Sequence, residues 1–436
     1  MMNPRRTAVT ALLKQEKNGY SNLVLKSALE KFDGTQRDAA FVSAIFYGTV
    51  ERQITLDYML SKCLTKPLNK LDPEIRAILR SGLYQAKYLD SVPAPSAIDE
   101  SVKLTRKMGK TSAAGMVNAV LRKACSFEIS EGDFADKTEF ISVKYSVSQP
   151  IARLFMSTAP QEYENILSAA FTKRCVCVRV NTLVTTAEKL TATLEHAGAT
   201  VTAGSVKNSL YVSVKGDITA LKPFKDGCFH VQGESSQLAC LALSPKAGEK
   251  VLDLCAAPGG KSATLAQYMD NKGELFSCDR AENRLSLIKS LFDRCRVHCG
   301  QISQNDAAVY NREFENADCV LCDVPCSGLG VMAKKPDIRL NTLDELPQLI
   351  ALQKRILETS SRYVKKGGRL VYSTCTLNPD ENENNVLDFL SKHSDFKAVK
   401  APNLPNGDVI NEKFTVLNPF YTKTDGFFIA YLERLW

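Results

Sequence analysis

Three short motifs contain the residues of this chain that are best suited to chemistry. A glycine-rich stretch occupies residues 253–262 (DLCAAPGGKS), and two cysteine motifs occupy residues 323–328 (DVPCSG) and 373–376 (STCT). Glycines let the backbone come close to a nucleotide-like ligand, and a thiolate is a strong nucleophile. A nucleotide-type pocket flanked by two cysteines indicates methyl transfer through a covalent intermediate.

The three motifs follow strand-like runs in the second half of the chain. These runs alternate with helix-like segments and lie at residues 250–254, 273–278, 318–322 and 369–373. Such alternation is typical of a doubly wound parallel sheet, in which ligands bind at the carboxyl ends of the strands. We therefore predict a Rossmann-like α/β domain over residues 236–436, with a cysteine following each of two strands.

A cofactor loop is predicted where the first of these strands turns into a helix. The helix N-terminus offers free N–H groups, and Asp279, at the end of the next run, can bind ribose hydroxyls. Arg284 lies on the helix that follows, and Asn305 and Asp306 end a further run before residue 318, where they could contact an adenine edge. The predicted contacts in the loop itself are Cys255, Ala256, Ala257, Pro258, Gly259, Gly260 and Lys261.

Two other nucleotide-binding motifs fit this loop poorly. A P-loop requires a glycine five residues before Gly260, but Cys255 occupies that position and Pro258 stiffens the turn. A dinucleotide-binding dehydrogenase is disfavoured because no G-x-G-x-x-G occurs. For Lys261 two interpretations stay open: a role in cofactor or substrate binding, or an ordinary surface lysine at a helix start.

The residues alone do not order the two motif cysteines, Cys326 and Cys375. A lone cysteine at a strand end is most often a buried thiol, but two beside a cofactor loop favour a catalytic pair. Most other cysteines are interpreted as buried thiols. Cys319 and Cys322 form a C-x-x-C on a strand, where residues three apart face opposite sides, so we expect neither a redox motif nor a metal site there. With four histidines in the chain, no structural zinc is expected.

The front of the chain differs from the rest in charge and in pattern. The first 125 residues hold 20 Lys and Arg against 11 Asp and Glu, whereas the remainder holds 36 against 37. A basic domain favours a polyanionic partner, and an ordinary solvated helical surface is the alternative. Apolar periodicity predicts an all-helical domain over residues 1–130, a linker at 131–149 and a small mixed α/β domain at 150–235.

Taken together and in order, the motifs resemble those of the RNA 5-methylcytosine methyltransferase family, the NOL1/NOP2/Sun group. Residues 231–238 (VQGESSQL) and 425–428 (DGFF) add to the resemblance. At the front, residues 92–104 (VPAPSAIDESVKL) and 115–122 (GMVNAVLR) resemble the NusB-type RNA-binding fold. The resemblance covers nearly the whole chain. The pairing of a NusB-type front with such a methyltransferase domain is similar to that in bacterial small-subunit rRNA methyltransferases.

The resemblance implies S-adenosylmethionine as cofactor and assigns roles to single residues. Cys375 is the expected nucleophile at cytosine C6, Cys326 the expected release-assisting residue, and Asp323 the expected contact to the target base and to the cofactor. DNA cytosine methyltransferases instead attack from a Pro-Cys motif, which would nominate Cys326. The resemblance also implies a set of RNA contacts, namely Arg179, Asn181, Lys334 and Lys335. For the first two, a strand edge with a turn is the alternative.

The sequence thus predicts a cytoplasmic enzyme that methylates cytosine C5 in 16S rRNA of the small ribosomal subunit. We expect a monomer. We expect no membrane contact, since no secretion signal and no apolar run of spanning length occur. We also expect four front-domain arginines to strengthen RNA binding, namely Arg5, Arg6, Arg76 and Arg80. The alternatives are a noncatalytic RNA-binding assembly factor with the same fold and a DNA or tRNA cytosine-C5 methyltransferase.

Overall fold

The chain divides into two compact units. The computed structural model describes residues 3–17, 19–172, 175–404, 409–410 and 413–436. The first unit comprises residues 1–171 together with 332–343, and the second comprises 172–331 and 344–436. The chain therefore leaves the second unit after Val331 and re-enters it at Asp344.

The first unit is helical, as predicted, and its described residues contain no strand. Asp72 starts the central helix by accepting a hydrogen bond from the backbone N–H of Glu74 (3.0 Å), and Ile78 and Leu83 on that helix are fully buried. The helices are α1 (Pro4–Gln15), α2 (Ser21–Glu30), α3 (Gln36–Glu51), α4 (Gln53–Ser61), α5 (Pro73–Tyr88), α6 (Ala94–Lys107), α7 (Ala114–Cys125), α8 (Lys137–Tyr145), α9 (Gln149–Thr158) and α10 (Tyr163–Ala169).

The first unit is longer than the sequence predicted. The structure continues it to residue 171, past the predicted boundary at 130, and residues 137–145 of the predicted linker form α8. The polar composition of this stretch hid two anchors. Ile141 is fully buried, and the Thr55 hydroxyl on α4 donates to the Val143 carbonyl (2.6 Å). Packing against α4 therefore makes these residues part of the helical unit.

A segment from the second half of the sequence, residues 332–343, also belongs to the first unit. Arg339 is fully buried there and donates to the carbonyls of Tyr145 (2.9 Å) and Ala170 (2.7 Å). Asp337 accepts hydrogen bonds from Gln15 Nε2 (3.0 Å) and from the backbone N–H and hydroxyl of Ser21. These contacts fix the segment within the helical unit.

The second unit begins with a small antiparallel sheet in the order β2–β3–β1–β4. Its elements are β1 (Val176–Val180), α11 (Ala187–His196), β2 (Thr200–Ala203), β3 (Ser209–Ser213), α12 (Lys222–Lys225) and β4 (Phe229–Val231). The predicted mixture of strands and helices in this region is confirmed. The predicted separate domain at 150–235 differs from the structure, which assigns residues up to 171 to the helical unit and the remainder to the same unit as the large sheet.

Among the described residues, nine strands form the large sheet, in the order β11–β12–β13–β9–β8–β5–β6–β7, with β10 paired to β13. The elements of this region are α13 (Glu234–Leu243), β5 (Lys250–Asp253), α14 (Gly260–Tyr268), β6 (Glu274–Asp279), α15 (Glu282–Cys295), β7 (Gly300–Gln304), β8 (Ala317–Asp323), α16 (Leu346–Tyr363), β9 (Val364–Thr374), α17 (Glu383–Lys392), β10 (Phe396–Val399), β11 (Val409–Ile410), β12 (Phe414–Leu417), α18 (Pro419–Thr422) and β13 (Phe427–Arg434).

The sheet topology confirms the predicted Rossmann-like fold and places its ligand edge. Strands β7, β6, β5, β8 and β9 pair in parallel, whereas β13 pairs antiparallel with β9, so the sheet is mixed. β5 lies between β6, which follows it in the chain, and β8, which follows β7, so the strand order reverses at β5. Such a switch point opens a crevice at the carboxyl ends of the strands, where ligands bind in this class of fold.

Both faces of the large sheet are covered by apolar side chains. Cys319 packs on one face, with Leu275 and Val371, and Cys322 packs on the other, with Phe276. The two thiols of the C-x-x-C therefore face opposite sides, as predicted, and burial raises the pKa of Cys322 to about 12. In the part of the chain that the structure describes, no helix combines the length and apolar character needed to cross a membrane.

Candidate active site

The ends of five parallel strands bring the predicted chemical residues to one edge of the large sheet. Asp253 ends β5, Asp279 ends β6 and Asp323 ends β8. Cys375 follows β9 directly, and Asn305 and Asp306 follow β7. Residues separated by more than one hundred positions in the sequence thus line the same crevice, because parallel strands present their carboxyl ends together.

The glycine-rich loop after β5 turns sharply and leaves space above the start of α14. Gly259 has φ of +101°, a conformation that favours glycine, and its N–H donates to the Ala256 carbonyl (2.6 Å). The Ala257–Pro258 peptide bond is cis. A Cβ added at Gly260 would meet no atom closer than 3.9 Å, so the first turn of α14 is open to a ligand.

Beneath this loop lies a buried carboxylate. Asp253 Oδ2 accepts from the Ser262 hydroxyl (2.6 Å), and Oδ1 has no hydrogen-bond partner among the described residues. Burial, opposed by the Ser262 hydrogen bond, raises the pKa of Asp253 to about 7. Burial also raises the pKa of the neighbouring Cys255 thiol well above its ordinary value, so Cys255 is unsuited to act as a nucleophile.

Asp279 and Arg284 hold the other side of the loop. The Asp279 carboxylate accepts from the backbone N–H of Ala257 (3.3 Å) and of Ala281 (3.0 Å). The Arg284 guanidinium lies 3.2 Å from Asp279 and donates to the Ala257 carbonyl (2.7 Å). Arg284 therefore supports the loop and the carboxylate, and Asp279 keeps lone pairs that could accept hydroxyl hydrogens.

The groups in this crevice fit an adenosine-type cofactor. The Asn305 amide nitrogen is buried and has no acceptor among the described residues, so a donor is available beside Asp279. Asp306 uses Oδ1 to accept from the Ala308 N–H (3.0 Å), which leaves the rest of its carboxylate for a ligand amine. Open space over Gly260, a carboxylate for ribose hydroxyls and an amide donor together suit such a ligand.

The two motif cysteines meet beside this crevice. The sulfurs of Cys326 and Cys375 lie 3.3 Å apart, and either thiol could donate to the other. The pKa of Cys326 is raised well above its ordinary value by its hydrogen bond with Cys375, by burial, and by the charges of Cys375 and Glu381. This shift favours the protonated thiol at Cys326, which could then donate to the Cys375 sulfur.

An ion pair joins Asp323, at the end of β8, to Lys261, at the start of α14. Lys261 Nζ is 2.7 Å from Asp323 Oδ2, and the Ser373 hydroxyl donates to Asp323 Oδ1 (2.8 Å). Burial lowers the pKa of Lys261, but the charge and the hydrogen bond of Asp323 outweigh it and raise the pKa above its ordinary value. The side chains are 17% and 22% exposed, so Lys261 is not the surface lysine of the alternative interpretation.

The structure does not fit the predicted RNA contacts at Arg179 and Asn181. Arg179 is 2% exposed and donates to Gln267 Oε1 (3.0 Å) and to the Lys207 carbonyl (2.8 Å). Asn181 is fully buried and donates to the carbonyls of Gly227 and Cys295, both at 2.8 Å. Both side chains fasten the small sheet to helices that follow strands of the large sheet, since Gln267 lies on α14 and Cys295 ends α15.

The basic residues elsewhere divide into exposed and buried ones. Lys334 and Lys335 are exposed, in the segment that belongs to the helical unit. Arg6 is exposed as well, and Arg5 is partly buried against Gln85, to which it donates (2.8 Å). These residues stay compatible with the predicted RNA contacts.

Arg76 and Arg80 do not fit the predicted surface for RNA. Arg80 is 8% exposed and donates twice to Asp57 (2.6 Å each) and also to Glu16. Arg76 donates to the same Glu16 carboxylate (2.9 Å). Because their guanidinium groups are engaged by carboxylates, reversing their charge would test the folding of the helical unit and not its affinity for RNA.

Sequence reasoning missed the polar residues that lie behind the cysteines. Glu381 is fully buried, and it accepts hydrogen bonds from Ser327, which follows Cys326, and from Asn378, which follows the second cysteine motif. The signal was present, because Glu381 stands in the stretch 376–382 (TLNPDEN), a polar turn directly after a strand.

Comparisons with known proteins agree with this geometry. The family model described as 16S rRNA methyltransferase RsmB/F matches residues 240–433, and the NusB family model matches residues 2–126. A probable ribosomal RNA small subunit methyltransferase B of Bacillus subtilis is 33% identical over 453 residues, covering 99% of this chain and 98% of that protein. A protein of the same description from Synechocystis is 32% identical over the full length of both chains.

Solved structures support the fold. The crystal structure of PH0851 matches with a TM-score of 0.85 and 27% identity, covering 100% of this chain and 99% of that one. A methyltransferase homolog protein from Pyrococcus horikoshii matches with a TM-score of 0.62 and 28% identity, covering 69% of this chain and all of that one. The full-length match indicates that both units occur together elsewhere.

Proposed function

Since this chain belongs to the 16S rRNA methyltransferase RsmB/F family, we propose that it methylates cytosine C5 in 16S rRNA of the small ribosomal subunit through a covalent cysteine adduct. The observation that carries the proposal is the pair of cysteine sulfurs, 3.3 Å apart, beside an open glycine-rich loop. Methylation at a ring carbon needs such a nucleophile, because cytosine C5 is unreactive until C6 is attacked.

Cys375 is the proposed nucleophile. Its thiolate adds to C6 of the base, and the electron pair of the C5–C6 double bond becomes available at C5. The raised pKa of Cys326 supports this assignment. A thiol that keeps its proton is a poor nucleophile, but it can donate a hydrogen bond to the sulfur of Cys375. The shift thus supports the roles that the resemblance implies for Cys375 and Cys326.

Asp323 is the proposed contact to the base. Its carboxylate is held by Lys261 and by the Ser373 hydroxyl, so it accepts hydrogen bonds and would stabilise a proton on N3 of the attacked ring. Charge that develops on the ring after attack at C6 would thus be offset without movement of the protein. The Lys261 ammonium holds the Asp323 carboxylate in place for this contact.

S-adenosylmethionine is the proposed cofactor, and it would supply the methyl group that C5 receives. The loop residues 255–261, Asp279, Arg284 and Asp306 would form or support its site, and the Asn305 amide would donate to the adenine edge. A solved structure of NSun6 from Pyrococcus horikoshii with SFG shares the fold, with a TM-score of 0.60. The role of the protein here is to orient the ligand and to exclude water from the crevice.

Cys326 is the proposed aid to release. After a base removes the C5 proton, the bond between C6 and the Cys375 sulfur breaks and leaves its electron pair on sulfur. The Cys326 thiol, 3.3 Å away, donates a hydrogen bond to that departing sulfur. Lys334 and Lys335, both exposed, are proposed contacts to RNA phosphates.

Transfer of labelled methyl from S-adenosylmethionine to small-subunit rRNA, tRNA and DNA tests the proposal, followed by nucleoside analysis. Naked rRNA and partly assembled subunits are both offered as substrate. We expect label in 5-methylcytidine from rRNA alone, and none with Cys375→Ala. Label in tRNA or DNA would overturn rRNA as the proposed substrate class. Intact cofactor binding without label in any substrate would favour a noncatalytic assembly factor.

A further inference from the structure

A buried carboxylate lies behind the two cysteine loops. Glu381 has no exposed surface, and its oxygens accept hydrogen bonds from four donors. The donors are the backbone N–H of Ser327 (2.8 Å), the Ser327 hydroxyl (2.6 Å), the Gln353 amide (2.9 Å) and the Asn378 amide (3.1 Å). A carboxylate is costly to bury unless donors surround it, and these four remove that cost in one arrangement.

The donors come from three different segments. Ser327 follows Cys326, Asn378 stands three residues after Cys375, and Gln353 lies on α16. The same Gln353 amide donates to the Pro325 carbonyl (2.9 Å), and the Ser327 and Thr376 hydroxyls lie 2.8 Å apart. Glu381 is therefore the single side chain in this group that joins both cysteine loops and the helix behind them.

We propose that Glu381 is the positioning residue of the cysteine pair: its carboxylate fixes the loop of Cys326 against the loop of Cys375, so that the two sulfurs face each other. The inference deepens the proposed methyl transfer and rests on it for its consequence, the release of the methylated base. The contact between the two loops does not depend on the identity of the substrate.

The charge of Glu381 also acts on the chemistry of the pair. After the hydrogen bond and charge of Cys375 and after burial, the negative charge of Glu381 contributes to the raised pKa of Cys326. The titratable groups that bear on the Cys326 thiol are thus Cys375 and Glu381. A carboxylate that keeps Cys326 protonated preserves the hydrogen-bond donor that release needs.

Glu381→Gln keeps the shape of the side chain but removes its charge and turns one acceptor into a donor that faces two donors. We expect turnover to fall at least about tenfold and protein–rRNA adduct to accumulate, since release is the step that Cys326 assists. The affinity for S-adenosylmethionine should stay within about twofold, because no contact of the cofactor loop changes.

Glu358→Gln is the matched control. It makes the same substitution on α16 of the same unit, where Glu358 is 52% exposed and pairs with His393 (2.7 Å). Turnover and adduct level should equal those of the unmodified chain. An equal loss in both variants would mean that the effect is general, and it would overturn the positioning role of Glu381.

Alkylation of the Cys326 thiol tests the inference without RNA. Iodoacetamide labelling of the folded chain across a pH series, read by peptide fragmentation, gives the midpoint for Cys326 and, on a separate peptide, for Cys375. In Glu381→Gln the Cys326 midpoint should move to lower pH by about half a unit, because a negative charge is lost. An unchanged midpoint together with unchanged adduct level would overturn the inference.

The two proposals fail in distinguishable ways. If the unmodified chain forms neither adduct nor 5-methylcytidine, the proposed function fails, and the alkylation midpoints still decide the role of Glu381. If Glu381→Gln does not fold, Ser327→Ala removes one of the four donors but keeps the charge, so adduct should accumulate to a smaller extent and the Cys326 midpoint should not move to lower pH. Unchanged release in Ser327→Ala would then overturn the inference.

Discussion

Two buried cations of the second unit, Lys261 and Arg179, come from motifs that the sequence singled out, and the structure gives them different partners. Lys261 pairs with the Asp323 carboxylate at the edge of the large sheet (2.7 Å). Arg179 donates to an amide oxygen and to a backbone carbonyl in the interior (3.0 and 2.8 Å). One cation holds an acidic group that faces the crevice, and the other fastens the small sheet to helix α14.

This difference shows that burial of a charged side chain does not by itself mark an active site. Arg179 is only 2% exposed, so its donors are used inside the protein. The Lys261 and Asp323 side chains keep 17% and 22% of their surface, so a ligand can reach them. The chemistry of the partner and the remaining access separate a catalytic charge from a structural one.

The largest expected effect comes from Lys261→Met. The substitution keeps a long side chain but frees Asp323 from its cation, and we expect methyl transfer to fall about 10³-fold because the charge on the attacked base is no longer offset. The folded fraction should change little, since Asp323 retains the Ser373 hydroxyl and access to water. Labelled-methyl kinetics and thermal unfolding measure the two quantities. Full turnover would remove Lys261 from the active site.

Arg179→Met should have the opposite profile. It leaves the Gln267 and Lys207 oxygens without their donor, and we expect the free energy of unfolding to fall by about 3 kcal/mol. Methyl transfer per folded molecule should stay within about threefold at low temperature. Lys189→Met on the exposed face of α11 is the control and should change neither quantity. Loss of rRNA affinity at unchanged stability would restore Arg179 as an RNA contact.

The smallest effect concerns the carboxylate beneath the loop that carries Lys261. Asp253 has a pKa of about 7 in the folded chain, above the ordinary value of 3.8, so the folded state binds a proton that the unfolded state has lost. The free energy of unfolding should therefore fall as the pH rises, by about 1 kcal/mol between pH 6 and pH 8. Asp253→Asn should remove this dependence. Denaturant unfolding at each pH measures it, and an equal slope in both proteins would contradict the assignment.

The sequence predicted the large sheet and its edge well, because the periodicity of each strand and the residues that end it are local features. The runs at 250–254 and 318–322 became β5 and β8, each ending in the expected aspartate. The Cys326 and Cys375 motifs also fell at strand ends beside the cofactor loop. Their contact at 3.3 Å needed the fold, since the order of the strands in a sheet is not local.

The sequence failed where tertiary packing reassigns a polar residue. Arg179 and Asn181 carry side chains typical of RNA contacts, and only the docking of the small sheet makes them structural. The composition of residues 137–145 predicts a polar linker, but in the structure they form a helix whose buried face packs against α4. Glu381 was missed for the same reason, because three of its four donors come from Ser327 and Gln353, in segments distant from it in the sequence.

The proposed reaction passes through a covalent adduct on Cys375 that Cys326 helps to release. The direct measurement is denaturing electrophoresis of Cys326→Ala after incubation with labelled 16S rRNA and S-adenosylmethionine, beside Cys375→Ala and the double variant. We expect a stable protein–RNA band with Cys326→Ala alone. An adduct that persists when Cys375 is absent, or no adduct with Cys326→Ala while 5-methylcytidine still forms, would contradict it.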